Sequence, residues 1–447
     1  MSKTAELSIE ELALVEAPKI LVEPPGPEAK KVVERDNKVV SPALPRAYPF
    51  APKRGSGSVL EDVDGNLFLD MNAGIAVNAT GHSHPKVVEA IQKQAAELIH
   101  YSGSDFFLPI YSETAQRLSE IAPISKPTRV TLQNSGAEAV EASIKLARWV
   151  TQRPNIIAFY GAFHGRTLGS VSVTASKTKY RARFGPLGSG VFHAPYGSGQ
   201  GWGLDLSDPE GCEFPTIAYI EKILFKRVVS PDEVAAILVE PVQGEGGYLV
   251  PPDGWLAALR ELCDKHGILM IADEVQSGIG RTGKMWAIQH FDVEPDIVLS
   301  AKGLASGMPL GAVIARADLM VWDKGVHGST YGGSPTCCAA ALATIDLVEN
   351  GLKQNAAEIG PFFMDGLRKA LAPYPWISEV RGLGLMIGVA FSDHDKRDAV
   401  EQACFKRGLL ALGCGDDAIR MSPPLLLRRD QAEKAIEVFA DACAAVG

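Results

Sequence analysis

The sequence contains no C-x-x-C pair and no apolar run near the roughly 18 residues needed to span a bilayer. It also has no excess of positive charge. Its seven cysteines, Cys212, Cys263, Cys337, Cys338, Cys404, Cys414 and Cys443, are scattered and odd in number. That pattern speaks for free thiols in a reducing compartment, not a disulfide framework. A net charge of -9 argues against a nucleic-acid surface and against an anionic membrane. An acidic total still leaves the sign of a local pocket open. The opening stretch, MSKTAELSIEELALVEAP, has no basic region followed by an apolar block, so no secretory signal is evident and a cytoplasmic location is expected. Internal repeats and low-complexity blocks are lacking too, and no metal site is expected.

What is present is globular. The chain has 447 residues, 46% of them hydrophobic and 22% charged, which is too long for one ordinary core. Residues 1–45 are rich in Glu, Pro and Lys and read as an arm. VLEDVDGNLFLDMNAG reads as a hairpin turning at Asp64-Gly65-Asn66. From about residue 81 to 344, apolar runs (RVTLQ, NIIAFY, AAILVEP, ILMIADE, DIVLSAK and GAVIAR) alternate with helical stretches. In GAEAVEASIKLARWV, Val140 and Ile144 share one face, and Glu141 and Lys145 are spaced to pair on another. Near-continuous apolar strands alternating with helices predict an α/β fold, a mostly parallel sheet covered on both faces. After residue 345 come a long helix, one strand-like run RGLGLMIGVAF and further helices at 395–407 and 430–445. Residues 46–80 and 345–447 are expected to form a smaller α+β domain beside a large domain of residues 81–344.

Four stations fall at the carboxyl ends of predicted strands, where ligands bind in open α/β sheets. NSGAEA, residues 134–139, ends a strand and starts a helix, whose free N–H groups suit an anion such as phosphate. IADEVQSG carries Asp273 out of an apolar strand, where a carboxylate needs a partner. GAFHGRT offers Phe163, His164 and Arg166 in a glycine-flanked loop. VLSAKGLASGMPLGA lands Lys302 among glycines. Taken singly, each has an ordinary structural explanation: a helix cap, an ion pair, a capping loop, a solvated lysine. Taken together they specify one chemistry. An anion cradle, an aromatic face for a flat heterocycle, a carboxylate for a pyridine nitrogen and an amine for an aldehyde make a site for pyridoxal 5'-phosphate.

These motifs, with ILVEPVQGEGG and HGSTYGGSP, resemble the class III aminotransferases, pyridoxal-phosphate enzymes of fold type I. The likeness runs over nearly all of the chain beyond residue 45 and is closest to the 4-aminobutyrate aminotransferases. It implies phosphate binding by Ser135, Gly136 and Ala137, and ring stacking by Phe163 with His164 beside it. Asp273 would pair with the ring nitrogen, Val275 would pack behind the ring, and Gln276 would bond the ring hydroxyl. Lys302 would form the imine and shuttle the proton. Glu240 and Glu245 would line the site, Arg166 and Arg420 would grip carboxylates, and Ile75 would line the substrate pocket. Thr330 would reach the phosphate of a neighbouring subunit, which requires a homodimer with shared active sites; dimer and tetramer stay open. Ser334 stands where relatives often have Asn, and the arm is longer than in many relatives.

The expected reaction is ping-pong transfer of an amino group. An ω-amino acid such as 4-aminobutyrate, or another primary amine, gives the nitrogen; 2-oxoglutarate or pyruvate receives it. A broad-specificity amino-acid racemase on the same scaffold stays open as an alternative. A non-catalytic, pyridoxal-phosphate-binding regulatory protein is a weaker one, since it would need neither Lys302 nor the arginines.

Overall fold

The computed structural model describes residues 8–197 and 213–447. Cys212 lies outside them; the other six cysteines are buried and unbridged. At the centre is a sheet whose strands, in spatial order, are Thr128–Gln133, Gly311–Arg316, Ile297–Ser300, Leu269–Asp273, Val234–Val239, Asn155–Phe159 and Val191–Ala194.

Alternate side chains of these strands enter two separate cores. Ile157, Ile237, Met270, Val298 and Ile314 join one, and Ile156, Leu238, Ile271, Leu299 and Val313 join the other. A period of two with apolar residues in both phases is what a sheet covered on both faces demands. Helix Gly136–Thr151 covers one face through Val140, Ile144 and Leu146. Helices Trp255–His266 and Pro335–Leu347 contribute to the core on the other.

Two features depart from expectation. Gly311–Arg316 runs antiparallel to both of its neighbours, so the sheet is mostly and not wholly parallel. Val191–Ala194 is an added parallel edge strand, too short and too mixed in character to stand out by periodicity.

The segments flanking this sheet build two smaller ones. Pro52–Ser56, Val59–Asp62 and Leu67–Asp70 form an antiparallel meander, and Leu409–Leu410 adds in parallel to its last strand. The turn at Asp64-Gly65-Asn66 is held by Asp62, whose Oδ1 accepts from the Asp64 and Asn66 N–H groups. The arm lies along this meander: Leu12 is buried, Lys19 pairs with Leu67, and the Asp64 carboxylate accepts from the N–H groups of Glu28 and Ala29 at the start of helix Pro27–Val39.

RGLGLMIGVAF is not one strand but parts of two. Ile377–Leu383 and Met386–Phe391 fold back on each other, then pair onward to Ala418–Met421 and Leu412–Cys414. Gly384 makes the reversal at φ +54, and a Cβ there would lie 2.4 Å from the Thr282 backbone. The turn was concealed because the run starts only three residues before it, at Arg381-Gly382-Leu383, and Gly384-Leu385 carry the same pattern into the apolar second strand.

The expected Glu141–Lys145 pair also fails. Glu141 Oε1 accepts from the Thr167 hydroxyl at 2.6 Å and from the Gly169 and Ser170 N–H groups, at the start of helix Leu168–Val173. Lys145 reaches the Val326 carbonyl and His327 instead. Three donors at a helix N-terminus outweigh one exposed ion pair, which is worth under about 1 kcal/mol.

Candidate active site

The carboxyl ends of neighbouring central strands open on one edge, where a cavity of about 460 Å³ lies. That volume falls within the range of small-molecule sites, about 300–1,000 Å³. Ser135, Gly136, Ala137, Phe163, His164, Arg166, Glu240, Asp273, Val275, Gln276 and Lys302 all line it.

Ser135 caps helix Gly136–Thr151, its Oγ accepting from the Glu138 N–H at 3.2 Å. The Gly136 and Ala137 N–H groups have no acceptor among the described residues, so the helix start presents free donors to the cavity. Glycine is required at 136 because a Cβ would lie 2.7 Å from Val275.

Asp273 ends strand Leu269–Asp273 and is 4% exposed. Its partner is a histidine, not the Arg or Lys that a buried carboxylate commonly recruits: His164 Nδ1 lies 2.6 Å from Oδ2, and the Val275 N–H donates to Oδ1. Burial works against charge on His164, yet the bond and charge of Asp273 prevail and raise its pKa. Glu240 accepts from the N–H groups of Phe163 and Gly244, both at 3.1 Å. Burial pushes its pKa to about 7, opposed by His164.

Lys302 follows strand Ile297–Ser300 at φ 40, in the left-handed region uncommon for a side-chain-bearing residue. No acceptor among the described residues takes a hydrogen bond from its Nζ. Burial, then the charge of Arg420, lowers its pKa to about 8 against the pull of Asp273, Glu240 and Glu245. It is thus an amine that is half deprotonated near pH 8, held at the lip of a dry core.

Four predicted residues stand outside the cavity lining. Glu245 and Arg420 meet each other, Oε2 to Nη1 at 2.9 Å. Ile75, 40% exposed, borders a neighbouring cavity of about 570 Å³ with Tyr48 and Phe50. Thr330 is exposed, beside the exposed Tyr331.

Sequence reading missed Lys177 and Tyr180, which also bond Glu245 Oε1 at 3.2 and 3.1 Å. Burial disfavours charge on Glu245, but Arg420 and Lys177 keep its pKa below the ordinary value. Tyr180 also packs edge-on to Phe163 and lies under the Arg166 guanidinium, 4.2 Å from its ring centroid. SKTKYRARFG reads as a solvated basic stretch, so its sequence carried no signal for this. Tyr248, which donates to Gln276 Oε1 at 2.9 Å, stands immediately after the motif ILVEPVQGEGG and was missed with them.

The aminotransferase class-III family matches residues 42–443. The chain belongs to the class-III aminotransferases. Its cofactor is therefore pyridoxal phosphate, and the cavity suits that group: N–H donors free among the described residues for a phosphate, a carboxylate ending a strand, and an amine with no acceptor among the described residues.

Class-III relatives of this chain differ in what their names say they do. An alanine/serine racemase of Pyrococcus horikoshii is 41% identical, over 96% of this chain and 93% of that protein. An acetylornithine aminotransferase of Methanopyrus kandleri is 43% identical, over 90% and 96%. A 4-aminobutyrate aminotransferase of Mycobacterium leprae is 38% identical, over 94% and 96%. Solved aminotransferases align over 94% of the chain with TM-scores of 0.83 and 0.85, sharing the type I architecture.

Proposed function

We propose that this class-III enzyme moves an amino group from an ω-amino acid of the 4-aminobutyrate type, or another primary amine, to 2-oxoglutarate or pyruvate by a ping-pong mechanism. The observation that carries the reading is Lys302: an amine with pKa brought to about 8, sharing one cavity with Asp273 and the free helix start. When bound, the cofactor supplies an electron sink for the bond being broken.

Ser135, Gly136 and Ala137 would hold its phosphate, and Phe163 and Val275 would enclose its ring. Asp273, steadied by His164, would keep the ring nitrogen protonated, since a neighbouring carboxylate favours the charged form. Glu240 would fix the Phe163 backbone by accepting from its N–H. Lys302 would bind the cofactor covalently, then take a proton from the substrate carbon and return it.

Arg166 would bind the distant carboxylate of either substrate. Arg420 would bind the near carboxylate of glutamate and turn to Glu245 when the donor has none. A guanidinium makes charge-assisted hydrogen bonds to either carboxylate, so the exchange trades one such contact for another. Lys177 and Tyr180 support this reading because they keep Glu245 partnered after Arg420 leaves. Ile75 would border the donor side.

The working unit would be a cytoplasmic homodimer, with Thr330 completing the partner's phosphate site. Exposed Ile99, Tyr101, Phe106, Phe107 and Tyr331 support an apolar face there, joined by the His100–Tyr331 ring contact at 4.8 Å. Amino donors offered singly, with cofactor absorbance followed through each half-reaction, test the proposal. 4-Aminobutyrate and glutamate should each convert the cofactor stoichiometrically, and failure of every amine to do so would reject transamination.

The relationship to the Pyrococcus racemase favours one second reading, racemisation of a neutral amino acid. Both reactions begin with Lys302 taking the proton and differ in where it returns. Incubating L-alanine or L-leucine alone separates them, because only a racemase accumulates the D-form without a keto acid.

A further inference from the structure

The loop Gln243–Leu249 is closed at its neck by two backbone hydrogen bonds, Gln243 N–H to Leu249 O at 3.0 Å and Leu249 N–H to Gln243 O at 3.1 Å. Within it Tyr248 has φ 56, the left-handed region that a bulky side chain seldom adopts. Such a conformation persists where it delivers a side chain to a particular place. Here the ring is fully buried and the hydroxyl donates to Gln276 Oε1. The amide packs against the same loop: a Cβ on Gly244 would come within 2.1 Å of Gln276 Nε2. That Nε2 has no acceptor among the described residues, and Gln276 lines the cavity.

A primary amide can sit either way round, because its two ends have nearly the same size and only hydrogen bonding distinguishes them. A phenol has one proton to give. In the structure that proton goes to Gln276 Oε1, with the Ser422 hydroxyl also beside the phenol.

We propose that Tyr248 is a positioning residue that sets the polarity of the Gln276 amide, occupying its oxygen so that the N–H end faces the cavity. The consequence is a fixed donor aimed at an electron-rich oxygen, the ring hydroxyl of the cofactor. This rests on the reading that Gln276 meets that oxygen. Without the phenol the amide could rotate and present its own oxygen to another oxygen. Because the same loop carries Glu245, whose side chain meets Arg420, it joins the cofactor side of the site to the carboxylate side.

Tyr248→Phe keeps the ring and removes only the hydroxyl. Three measurements on this variant test the proposal: binding of pyridoxal phosphate to the apoenzyme, the pH midpoint of the bound cofactor's visible absorbance, and the thermal midpoint of the apoenzyme. Losing one oriented hydrogen bond should weaken cofactor binding about tenfold. The absorbance midpoint should move upward, because a donor on the ring oxygen withdraws electron density from the chromophore. The apoenzyme's thermal midpoint should change little. Gln276→Ala should shift affinity and absorbance in the same directions, and adding Tyr248→Phe to it should do nothing more. A fall in thermal midpoint with unchanged affinity and absorbance in Tyr248→Phe would make the residue mere packing and overturn the proposal. Unchanged affinity and absorbance in Gln276→Ala would instead overturn the assignment of Gln276 to the ring oxygen, and the proposal with it.

Discussion

Two sets of residues converge on Lys302, and they are built differently. Asp273 ends one strand of the central sheet, and Ser135 and Lys302 each follow another, so their relative positions are fixed by ladders of backbone hydrogen bonds. Glu245 comes from a loop, Lys177 and Tyr180 from a basic segment, and Arg420 from strand Ala418–Met421 of a different sheet. The first set contains groups suited to holding a cofactor and moving protons. The second is an ion-pair cluster whose members can exchange partners. The difference suggests a division of labour: rigid strand ends for chemistry, side chains from separate elements for choosing the substrate.

The largest effect should come from the strand-end set. Lys302→Ala removes the amine and should abolish turnover for every donor, while the apoenzyme still binds pyridoxal phosphate noncovalently through the helix start. Near-normal activity in that variant, measured as turnover with 4-aminobutyrate and 2-oxoglutarate, would break the comparison at its root. Asp273→Asn should come next, slowing turnover by several orders of magnitude while the fold persists. A loss below roughly tenfold, about 1.4 kcal/mol, would remove Asp273 from the chemistry.

The second set should show a smaller and selective effect. Glu245→Ala leaves Arg420 without its carboxylate when the donor has only a distant one. Truncating one partner of a buried charge pair costs about 2–5 kcal/mol. The half-reaction with 4-aminobutyrate should therefore fall at least about 30-fold, with glutamate, which supplies its own near carboxylate, affected much less. Stopped-flow absorbance of each half-reaction reads this directly.

A smaller effect still concerns pH. Only a neutral amine can attack a carbonyl, and the Lys302 pKa is lowered to about 8. Reductive trapping of acetaldehyde on the apoenzyme should therefore speed up as pH rises and level off above about pH 8. An unperturbed lysine, at 10.5, would keep accelerating tenfold per unit through that range. Continued acceleration to pH 10 would show that burial and Arg420 do not depress this amine.

The same division explains what could be read from the sequence. Strands with apolar residues in both phases, such as Val-Ala-Ala-Ile-Leu-Val at 234–239, announce a sheet covered on both faces, and a polar residue just beyond each run announces the open edge. Asp273 and Lys302 were legible for that reason. Roles for Glu245, Arg420 and Thr330 came only with the family resemblance, because no local pattern brings residues 245 and 420 together. Tyr180 and Lys177 were invisible: their partner is 65 or more positions away, and their own segment looks like solvated surface. The antiparallel direction of Gly311–Arg316 was equally hidden, since a strand buried on both faces has the same apolar pattern in either direction. Glu141 failed because helical spacing ignored a nearby helix start that competed for its carboxylate.

The central claim is that the strand-end set acts alike on every substrate and the ion-pair set discriminates between them. One measurement tests it most directly: half-reaction rates for 4-aminobutyrate and for glutamate in wild type, Asp273→Asn and Arg420→Ala. Asp273→Asn should slow both donors by the same factor, whereas Arg420→Ala should cripple glutamate and largely spare 4-aminobutyrate. Equal losses for both donors in Arg420→Ala, or a donor-dependent loss in Asp273→Asn, would contradict the account.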